Sequence, residues 1–286
     1  MTAPVLVTGA TGNVGAATVA LLREAGAPVR AASRRGRTPG DDPGLTGVPF
    51  DFTDAATWPA AFDGVERMLL VRPPALGNVR RDVVPALEAA RAAGVRHVVL
   101  LSIQGAERIP VVPHAVLERW LRHSGLDWTF VRASFFHQNL TGALLPDLRE
   151  RNAIVVPAGG GRTAFVDADD VAAVAALALR ASDAHRGRAY TVTGPEALTY
   201  DEVAAVLTRE LGRRIRYVRP GVFRYYGHAR RRLGMDRGMA AVTAAIFTTA
   251  RLGLAAGLTD DVRRLLGREP GDLVSFVRRE RDAFAP

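Results

Sequence analysis

Three glycines near the start of the chain lie between an apolar run and an alanine-rich segment. Val5–Val7 is typical of a buried strand, Gly9, Gly12 and Gly15 follow it, and residues 16–22 are typical of a helix. A helix that begins directly after such a turn has free amides in its first turn. These amides and the helix dipole favour an anionic group such as a diphosphate. The pattern therefore predicts a dinucleotide site within a parallel α/β fold.

Each glycine has a separate role in this interpretation. Gly9 permits the turn, Gly12 admits the diphosphate, and Gly15 lets the helix lie close to the strand. The alternative is an ordinary glycine-rich loop in a chain of biased composition, and the order of strand, turn and helix favours the dinucleotide site. The residues assigned to cofactor binding in this turn are Gly9, Thr11, Gly12, Asn13, Val14 and Gly15.

Composition limits the class of protein. The 286 residues suffice for one large α/β domain with an additional lobe, and 48% of them are hydrophobic. The chain has no cysteine, which excludes disulfides and thiolate metal sites and is consistent with a cytoplasmic location. We expect no secretory segment, because residue 4 leads directly into the first strand. The apolar region 239–257 contains Arg251, so we expect a buried or amphipathic helix there and no membrane span.

The formal net charge is +9, and all 38 basic residues are arginines. Acidic residues lie among them, and no helix-turn-helix or RNA-binding pattern surrounds the densest groups, so we expect no nucleic-acid partner. The six histidines show no metal-ligand spacing, and the motif G-x-S-x-G does not occur. We therefore expect neither a metal site nor serine hydrolase chemistry.

Apolar runs alternate with helical segments through the first half of the chain. We predict strands over residues 29–32, 47–50, 65–71, 97–101 and 126–132, and helices over residues 55–61, 79–93 and 113–121. This alternation predicts a Rossmann-like, doubly wound parallel sheet over residues 1–140. Residues 141–286 are less regular and predict a smaller, mostly helical C-terminal lobe that contributes strands and helices to the same globule. Its predicted elements are helices over residues 170–180 and 222–284, strands over residues 188–192 and 215–218, and a capping box at Thr199 and Glu202.

The second strand ends in Ser33, Arg34 and Arg35, where many dinucleotide folds have an acidic residue that binds a ribose hydroxyl. A hydroxyl and two guanidinium groups suit a ribose 2′-phosphate instead. The sequence therefore predicts NADPH/NADP+ over NADH, and the alternative is a basic surface loop. After the third strand, Asp51 is placed to meet an adenine amine and Phe52 to flank the ring, whereas Asp54 is a helix cap.

The turn at residues 8–15 resembles the fingerprint of atypical short-chain dehydrogenases. Further segments resemble the NmrA-like branch of that group, namely residues 101–106, His114, Glu118 and residues 124–132, 135–139, 165–170 and 193–199. The resemblance covers nearly the whole chain and is strongest to NAD(P)H-binding quinone or azo-dye reductases and to cofactor-sensing relatives. It implies NADP binding at the turn, at Arg34, and in the loops that contain Val71, Arg72 and Ser102.

The resemblance also includes a departure from most short-chain dehydrogenases. His114 stands where their catalytic tyrosine would be and Glu118 where their lysine would be, a loss that the NmrA-like branch shares. Reduction of an isolated ketone needs a proton donor for the developing alkoxide. Reduction of a quinone depends less on a proton donor in the protein, because the negative charge of its product is delocalised and the product takes a proton from water. His114 as donor, Glu118 as the group that raises its basicity, and Ser102 as a hydrogen-bond donor to the acceptor are the catalytic candidates.

Each candidate has a structural alternative. His114 is equally consistent with a solvent-facing helix start, Glu118 with an ion pair to Arg122, and Ser102 with a backbone contact. Three residues are candidates for substrate contact: Phe135, Phe136 and Asn139. For Phe135 and Phe136 the alternative is core packing, which the sequence favours.

Three functions remain open from the sequence. The first is an NADPH-dependent reductase of a small quinone-like or aromatic, polyketide-like acceptor, acting as a monomer or homodimer. The second is a non-catalytic sensor of NADP(H), and the third is a biosynthetic ketoreductase. A reductase oxidises NADPH when an acceptor is present, whereas a sensor binds both redox forms and turns over nothing.

Overall fold

The chain folds into two compact units, each built from two separate segments. The computed structural model describes residues 3–36 and 42–285. Unit 1 comprises Met1–Ala133 and Ala168–Val192, and unit 2 comprises Ser134–Asp167 and Thr193–Pro286.

Short strands and helices alternate along most of the described residues. The strands are β1 Val5–Val7, β2 Val29–Ser33, β3 Leu45–Pro49, β4 Arg67–Leu70, β5 His97–Ile103, β6 Asp127–Ala133, β7 Phe135–Phe136, β8 Ala153–Val155, β9 Arg162–Val166, β10 Arg188–Val192, β11 Ala197–Thr199 and β12 Arg216–Val218. The α-helices are α1 Asn13–Glu24, α2 Trp58–Phe62, α3 Val79–Asp82, α4 Val84–Ala92, α5 Pro113–His123, α6 Leu145–Arg151, α7 Ala168–Arg180, α8 Ser182–His185, α9 Tyr200–Leu211, α10 Val222–Arg231, α11 Arg237–Arg251, α12 Asp261–Leu266 and α13 Leu273–Arg279. Short 3-10 helices lie at Ala55–Thr57, His137–Asn139 and Arg281–Phe284.

A parallel sheet forms the centre of unit 1. Its strand order is β10-β6-β5-β4-β1-β2-β3, and neighbouring strands pair in parallel throughout. The chain moves from β1 to β2 and β3 on one side and returns to β4 on the other side of β1. Ligands bind at the carboxyl edge of such sheets where the strand order reverses. The predicted Rossmann-like, doubly wound sheet is confirmed.

Burial explains why the central strands are so apolar. All three residues of β1 are buried, as are Met68, Leu69 and Leu70 of β4. Such strands read as continuous apolar runs because both faces of a parallel sheet are covered. The helix predicted over residues 79–93 is divided at Val83, whose φ of −123° separates α3 from α4. Pro85 accounts for the break, because its ring excludes the carbonyl one turn earlier from a continuous helix.

The boundary between the units differs from the one predicted at residue 140. The first segment of unit 1 ends at Ala133, residues 134–167 belong to unit 2, and residues 168–192 belong to unit 1 again. These residues return because β10 pairs with β6 and because α7 packs against α1. A long-range strand pairing and a helix contact decide the assignment, and neither leaves a signal in the local sequence.

Unit 2 combines two small sheets with several helices. One sheet has the order β11-β9-β7 and the other pairs β12 with β8. Its core is rich in large side chains, including Phe165, Tyr200, Tyr225 and Phe276. The predicted capping box of α9 is confirmed, because the hydroxyl of Thr199 accepts from the amide of Glu202 and the Glu202 carboxylate accepts from the amide of Thr199.

The apolar region 239–257 contains most of α11. One face of this helix is buried in the core of unit 2 through Ala240, Ala244, Phe247 and Ala250. In the described part of the chain, no helix has both the length and the apolar character that crossing a membrane requires.

Candidate functional site

The turn after β1 has a geometry that only glycine satisfies at two positions. Gly9 has a φ of +64°, in the left-handed region. A Cβ at Gly15 would lie 2.1 Å from the carbonyl oxygen of Gly9, so no larger residue fits there without moving the backbone. The amide of Gly12 closes the turn by donating to the same carbonyl at 2.9 Å. Helix α1 therefore begins directly against the end of β1.

The N-terminus of α1 is uncapped. Gly12 occupies the cap position, no side chain accepts from the first helical amides, and the first turn contains no acidic residue. Thr11, Gly12 and Asn13 are exposed, whereas Val14 and Gly15 are buried. The free amides and the positive end of the helix dipole form a site for an anionic group that approaches the turn.

The ends of β2 and β3 bring basic and acidic side chains near each other. Ser33 is half-buried, and Arg34 and Arg35 are exposed. The Asp51 carboxylate accepts from the amide of Thr53 at 2.8 Å and from its hydroxyl at 2.7 Å. These hydrogen bonds, together with the nearby charge of Arg34, hold the pKa of Asp51 below its ordinary value. Arg34 and Asp51 therefore lie near each other, after β2 and β3 respectively.

Phe52 has a different environment from the one predicted. It is 5% exposed, and its ring meets that of Phe50 edge-to-face at 4.8 Å. The ring belongs to the core of unit 1, which contradicts the prediction that it flanks an adenine. The cap predicted at Asp54 is confirmed, because its carboxylate accepts from the amide of Ala56 at 3.1 Å.

Thr8 connects β1 to the end of β4. Its hydroxyl donates to the carbonyl of Leu69 at 3.0 Å and accepts from the amide of Val71 at 2.8 Å. The side chain of Val71 lies against Gly9, because a Cβ on that glycine would be 3.1 Å from it. These contacts hold the loop after β4 beside the glycine turn, and the sequence analysis did not identify Thr8.

Arg72 follows directly and turns its guanidinium toward its own loop. Nη1 donates to the carbonyls of Pro73, Pro74 and Leu76 at 2.8, 3.1 and 3.0 Å. Nε is buried and has no hydrogen-bond partner among the residues that the structure describes. Burial lowers the pKa of Arg72.

Ser102 and Glu118 meet in a buried ion-pair network at the end of β5. The Ser102 hydroxyl donates to Oε1 of Glu118 at 2.7 Å. Arg132 of β6 donates from Nε to Oε1 at 2.9 Å and from Nη2 to Oε2 at 2.6 Å. Ser102 is 1% exposed and Glu118 3% exposed. This geometry contradicts the prediction that Ser102 donates to an acceptor, because its hydroxyl proton is committed to Glu118.

Opposing effects set the pKa of Glu118. Burial raises it, whereas the hydrogen bonds from Arg132 and Ser102 and the charges of Arg132 and Arg122 lower it, and the net pKa is below the ordinary value. The predicted pair with Arg122 is present at 3.5 Å. Arg132 is nevertheless the main partner, because it binds both carboxylate oxygens at shorter distances.

His114 lies in the first turn of α5, one turn before Glu118, and is half-buried. Burial, followed by the nearby charge of Arg72, lowers its pKa to about 4, although Glu118 acts in the opposite direction. The prediction that His114 titrates near neutral pH is therefore wrong. The imidazole is neutral at pH 7 and can donate a hydrogen bond, but it is not a reservoir of protons there.

Arg132 and Glu107 belong to the same network and were not identified from the sequence. Nη1 of Arg132 pairs with Oε2 of Glu107 at 3.1 Å, which ties the loop between β5 and α5 to β6. The sequence does suggest a buried partner for Arg132, because a charged residue lies there near the end of an apolar strand. Its two carboxylate partners are distant in sequence, so their identity required the fold.

The three predicted substrate residues lie in unit 2. Phe135 is half-buried and its ring contacts those of Phe165 and Phe247 at 5.6 and 5.5 Å. Phe136 and Asn139 are also half-buried, at the end of β7 and in the short 3-10 helix that follows. The contacts of Phe135 agree with core packing, the alternative that the sequence left open.

Metal coordination has no candidate in the part of the chain that is described. No group of three or more His, Asp or Glu side chains there has an arrangement suited to a metal ion.

Known proteins resemble this chain in both sequence and structure. Residues 1–225 match the NmrA-like family. An NAD(P)H azoreductase of Xenophilus azovorans is 34% identical over 289 residues, covering 98% of this chain and 99% of the relative. A (4-alkanoyl-5-oxo-2,5-dihydrofuran-3-yl)methyl phosphate reductase of Streptomyces griseus is 36% identical over 292 residues, covering 99% of each chain.

A solved structure shows the same fold. The NADPH-dependent quinone oxidoreductase of Escherichia coli in complex with NADPH superposes with a TM-score of 0.83 at 26% identity, covering 96% of this chain and 99% of that chain. The family match covers well over half of the chain, and the residues that carry the turn, the network and His114 all lie within it. This chain is a member of the NmrA-like family.

Proposed function

We propose that this protein is an NADPH-dependent oxidoreductase that transfers a hydride to a quinone-like or aromatic, polyketide-like acceptor. The observation that carries the proposal is the uncapped N-terminus of α1, reached through a turn in which Gly15 has no room for a side chain. An azoreductase, a dihydrofuranone reductase and a quinone reductase are among the relatives. The acceptors in those three names share a conjugated system that delocalises added electrons.

The residues around the turn fit NADPH by charge and shape. The amides at the start of α1 would hold the diphosphate, and Ser33, Arg34 and Arg35 would hold the 2′-phosphate. Asp51 would accept from the adenine amine. Val71 and Arg72 would border the nicotinamide end, because the side chain of Val71 lies against Gly9 and Arg72 follows it in the same loop. When bound, NADPH supplies a hydride, and the protein contributes orientation and electrostatics.

The chain contains no lysine, and His114 stands where the resemblance places the usual tyrosine, so we propose chemistry that does not need this pair. Glu118 is engaged by Arg132 and Ser102, so we propose that it positions α5 instead of exchanging protons. His114 is neutral at pH 7 and would donate a hydrogen bond to the acceptor. A conjugated acceptor tolerates this arrangement, because its reduced anion is delocalised and takes a proton from water.

We further propose that Phe135, Phe136 and Asn139 contact the acceptor, that the working form is a monomer or homodimer, and that the protein acts in the cytoplasm without a nucleic-acid partner. The absence of cysteine and the scatter of acidic residues among the arginines support the last two points.

A second function is favoured by one observation. Because the chain contains no lysine, the usual proton-delivering tyrosine and lysine pair cannot form, and a non-catalytic sensor of NADP(H) is also consistent with the site. Calorimetry with NADPH, NADP+ and NADH, followed by NADPH oxidation across quinones, azo dyes and enones, separates the two. Binding of NADPH with turnover supports the reductase. Binding without oxidation above an acceptor-only blank supports the sensor, and no heat with any nucleotide refutes both.

A further inference from the structure

Arg72 is a half-buried cation in the loop that follows β4. Among the described residues, no carboxylate lies within ion-pair distance of its guanidinium, and Nε is buried without a hydrogen-bond partner. Its Nη1 is fixed by the carbonyls of Pro73, Pro74 and Leu76. The guanidinium is therefore oriented by neutral groups, and no carboxylate of the described residues pairs with it.

A half-buried guanidinium without a carboxylate partner can be stabilised further by a bound anion. A buried charge needs a partner, and arginine normally obtains one from a carboxylate or phosphate. Arg132 shows the usual solution in this same unit, since it binds Glu118 and Glu107. Arg72 differs from it in that, within residues 3–36 and 42–285, only backbone carbonyls accept from its guanidinium.

The position favours the acceptor over the phosphates of the cofactor. Arg72 follows β4, which lies between β1 and β5 in the sheet. It acts electrostatically on His114, at the start of the helix that follows β5. The diphosphate has its own donors at α1, and the 2′-phosphate has Arg34 and Arg35 beyond the other side of β1. Glu118 also acts on His114 but is bound by Arg132 and Ser102, so a charge that develops on an acceptor beside His114 would be available to Arg72.

We propose that Arg72 is a catalytic residue that donates a hydrogen bond to the acceptor oxygen on which negative charge develops. This inference rests on the proposed reductase function and narrows its substrate class to conjugated carbonyl compounds, such as quinones and enones. A preorganised cation at such an oxygen stabilises the transition state more than the neutral substrate.

The charge balance of the step shows why Arg72 matters. A quinone accepts one hydride, that is two electrons and one proton, from NADPH, which leaves as NADP+. The product is the hydroquinone monoanion, whose oxygen faces the guanidinium, and a proton from water completes the hydroquinone. A cationic triarylmethane dye accepts the same hydride at its central carbon and becomes neutral. No anion forms in that reaction, so Arg72 has nothing to stabilise.

The test compares these two acceptors in the Arg72→Met variant, which removes the charge and the donors and keeps much of the side-chain volume. We expect kcat/KM for a quinone such as menadione to fall about a hundredfold, as for the loss of one oxyanion donor. We expect kcat/KM for the cationic dye to fall much less than that for the quinone, and the Kd for NADPH measured by calorimetry to change much less than kcat/KM for the quinone. Arg72→Lys should recover part of the quinone activity, because it restores the charge without the planar fork.

The matched control is Arg67→Met. Arg67 lies at the opposite end of β4, is half-buried, and donates from Nη1 to the carbonyl of Leu179 at 2.9 Å. We expect this variant to reduce both acceptors at the wild-type rate. Thermal unfolding of all variants shows whether Arg72 merely holds its loop, since a structural role lowers Tm and both activities together.

Three results overturn the inference. A quinone rate within threefold of wild type removes Arg72 from the mechanism. Equal losses with both acceptors, together with a raised Kd for NADPH, assign Arg72 to the cofactor, and equal losses with a lowered Tm assign it to the fold. A wild-type protein that binds NADPH and reduces neither acceptor refutes the proposed function itself, which is a distinct outcome. If wild type reduces the quinone but not the dye, the Kd for NADPH and the Tm of the variants distinguish the roles. A raised Kd assigns Arg72 to the cofactor, a lowered Tm assigns it to the fold, and the absence of both changes leaves it in the mechanism.

Discussion

Glu118→Gln is the substitution for which the structure supplies the clearest magnitude. The carboxylate is 3% exposed and binds Arg132 through two hydrogen bonds of 2.9 and 2.6 Å. An amide of nearly the same shape keeps one oxygen for Ser102 or Arg132 but removes the negative charge. Its amino group also places a donor against the guanidinium, which has only donors.

The expected loss follows from the loss of charge. Removing one member of a buried ion pair costs about 3–5 kcal/mol in free energy of unfolding. Arg132 retains Glu107 at 3.1 Å, so we expect the lower end of that range, about 3 kcal/mol. For a chain of this length, that loss lowers Tm by roughly 6–12 °C.

Tryptophan fluorescence during urea unfolding is a suitable assay, because Trp58, Trp120 and Trp128 are the only tryptophans and all lie in unit 1. The matched control is Glu88→Gln, the same chemical change at an exposed position of α4, for which we expect a change within about 0.5 kcal/mol. A loss for Glu118→Gln no larger than that of the control would refute the idea that the network holds α5 in place.

The pH dependence of this loss has a defined sign. The pKa of Glu118 is lowered in the folded chain from an ordinary value of 4.5. The contribution of its charge is therefore complete above about pH 4.5 and is lost as the pH falls through the folded pKa. We expect the difference in unfolding free energy between wild type and Glu118→Gln to shrink below about pH 4.5. A difference that grows on acidification would contradict the assigned direction.

Three further predictions concern the cofactor and the histidine. Arg34→Ala should raise the Kd for NADPH about 10- to 100-fold in calorimetry and leave that for NADH unchanged, because only NADPH carries the 2′-phosphate; Arg188→Ala, on the exposed side of β10, is the control. Gly15→Ala should abolish measurable NADPH binding, since its Cβ meets the Gly9 carbonyl oxygen at 2.1 Å, whereas Gly227→Ala, in open space, should bind normally. His114→Phe should leave the shape of the pH profile of kcat/KM unchanged between about pH 6 and 8, because the pKa of His114 is about 4; a neutral-pH inflection that only the wild type shows would refute this.

Local signals in the sequence predicted much of the first unit correctly. The glycine turn, the alternation of strands and helices, and the caps at Asp54 and Thr199 each depend on residues within a few positions of one another. Backbone geometry at a turn and hydrogen bonds at a helix end are set by such neighbours. The parallel order of the sheet follows because short strands separated by helices have few other ways to pair.

The sequence by itself determined that a dinucleotide-type turn opens a doubly wound sheet, because strand, turn and helix propensities act over short distances. Only the tertiary structure decided that Glu118 binds Arg132 and Ser102, that Phe52 is core, and that His114 has a pKa of about 4. The partners of Glu118 are 14 and 16 residues away along the chain. Burial and electrostatic environment depend on which distant segments pack around a side chain, and that packing exists only after the chain has folded.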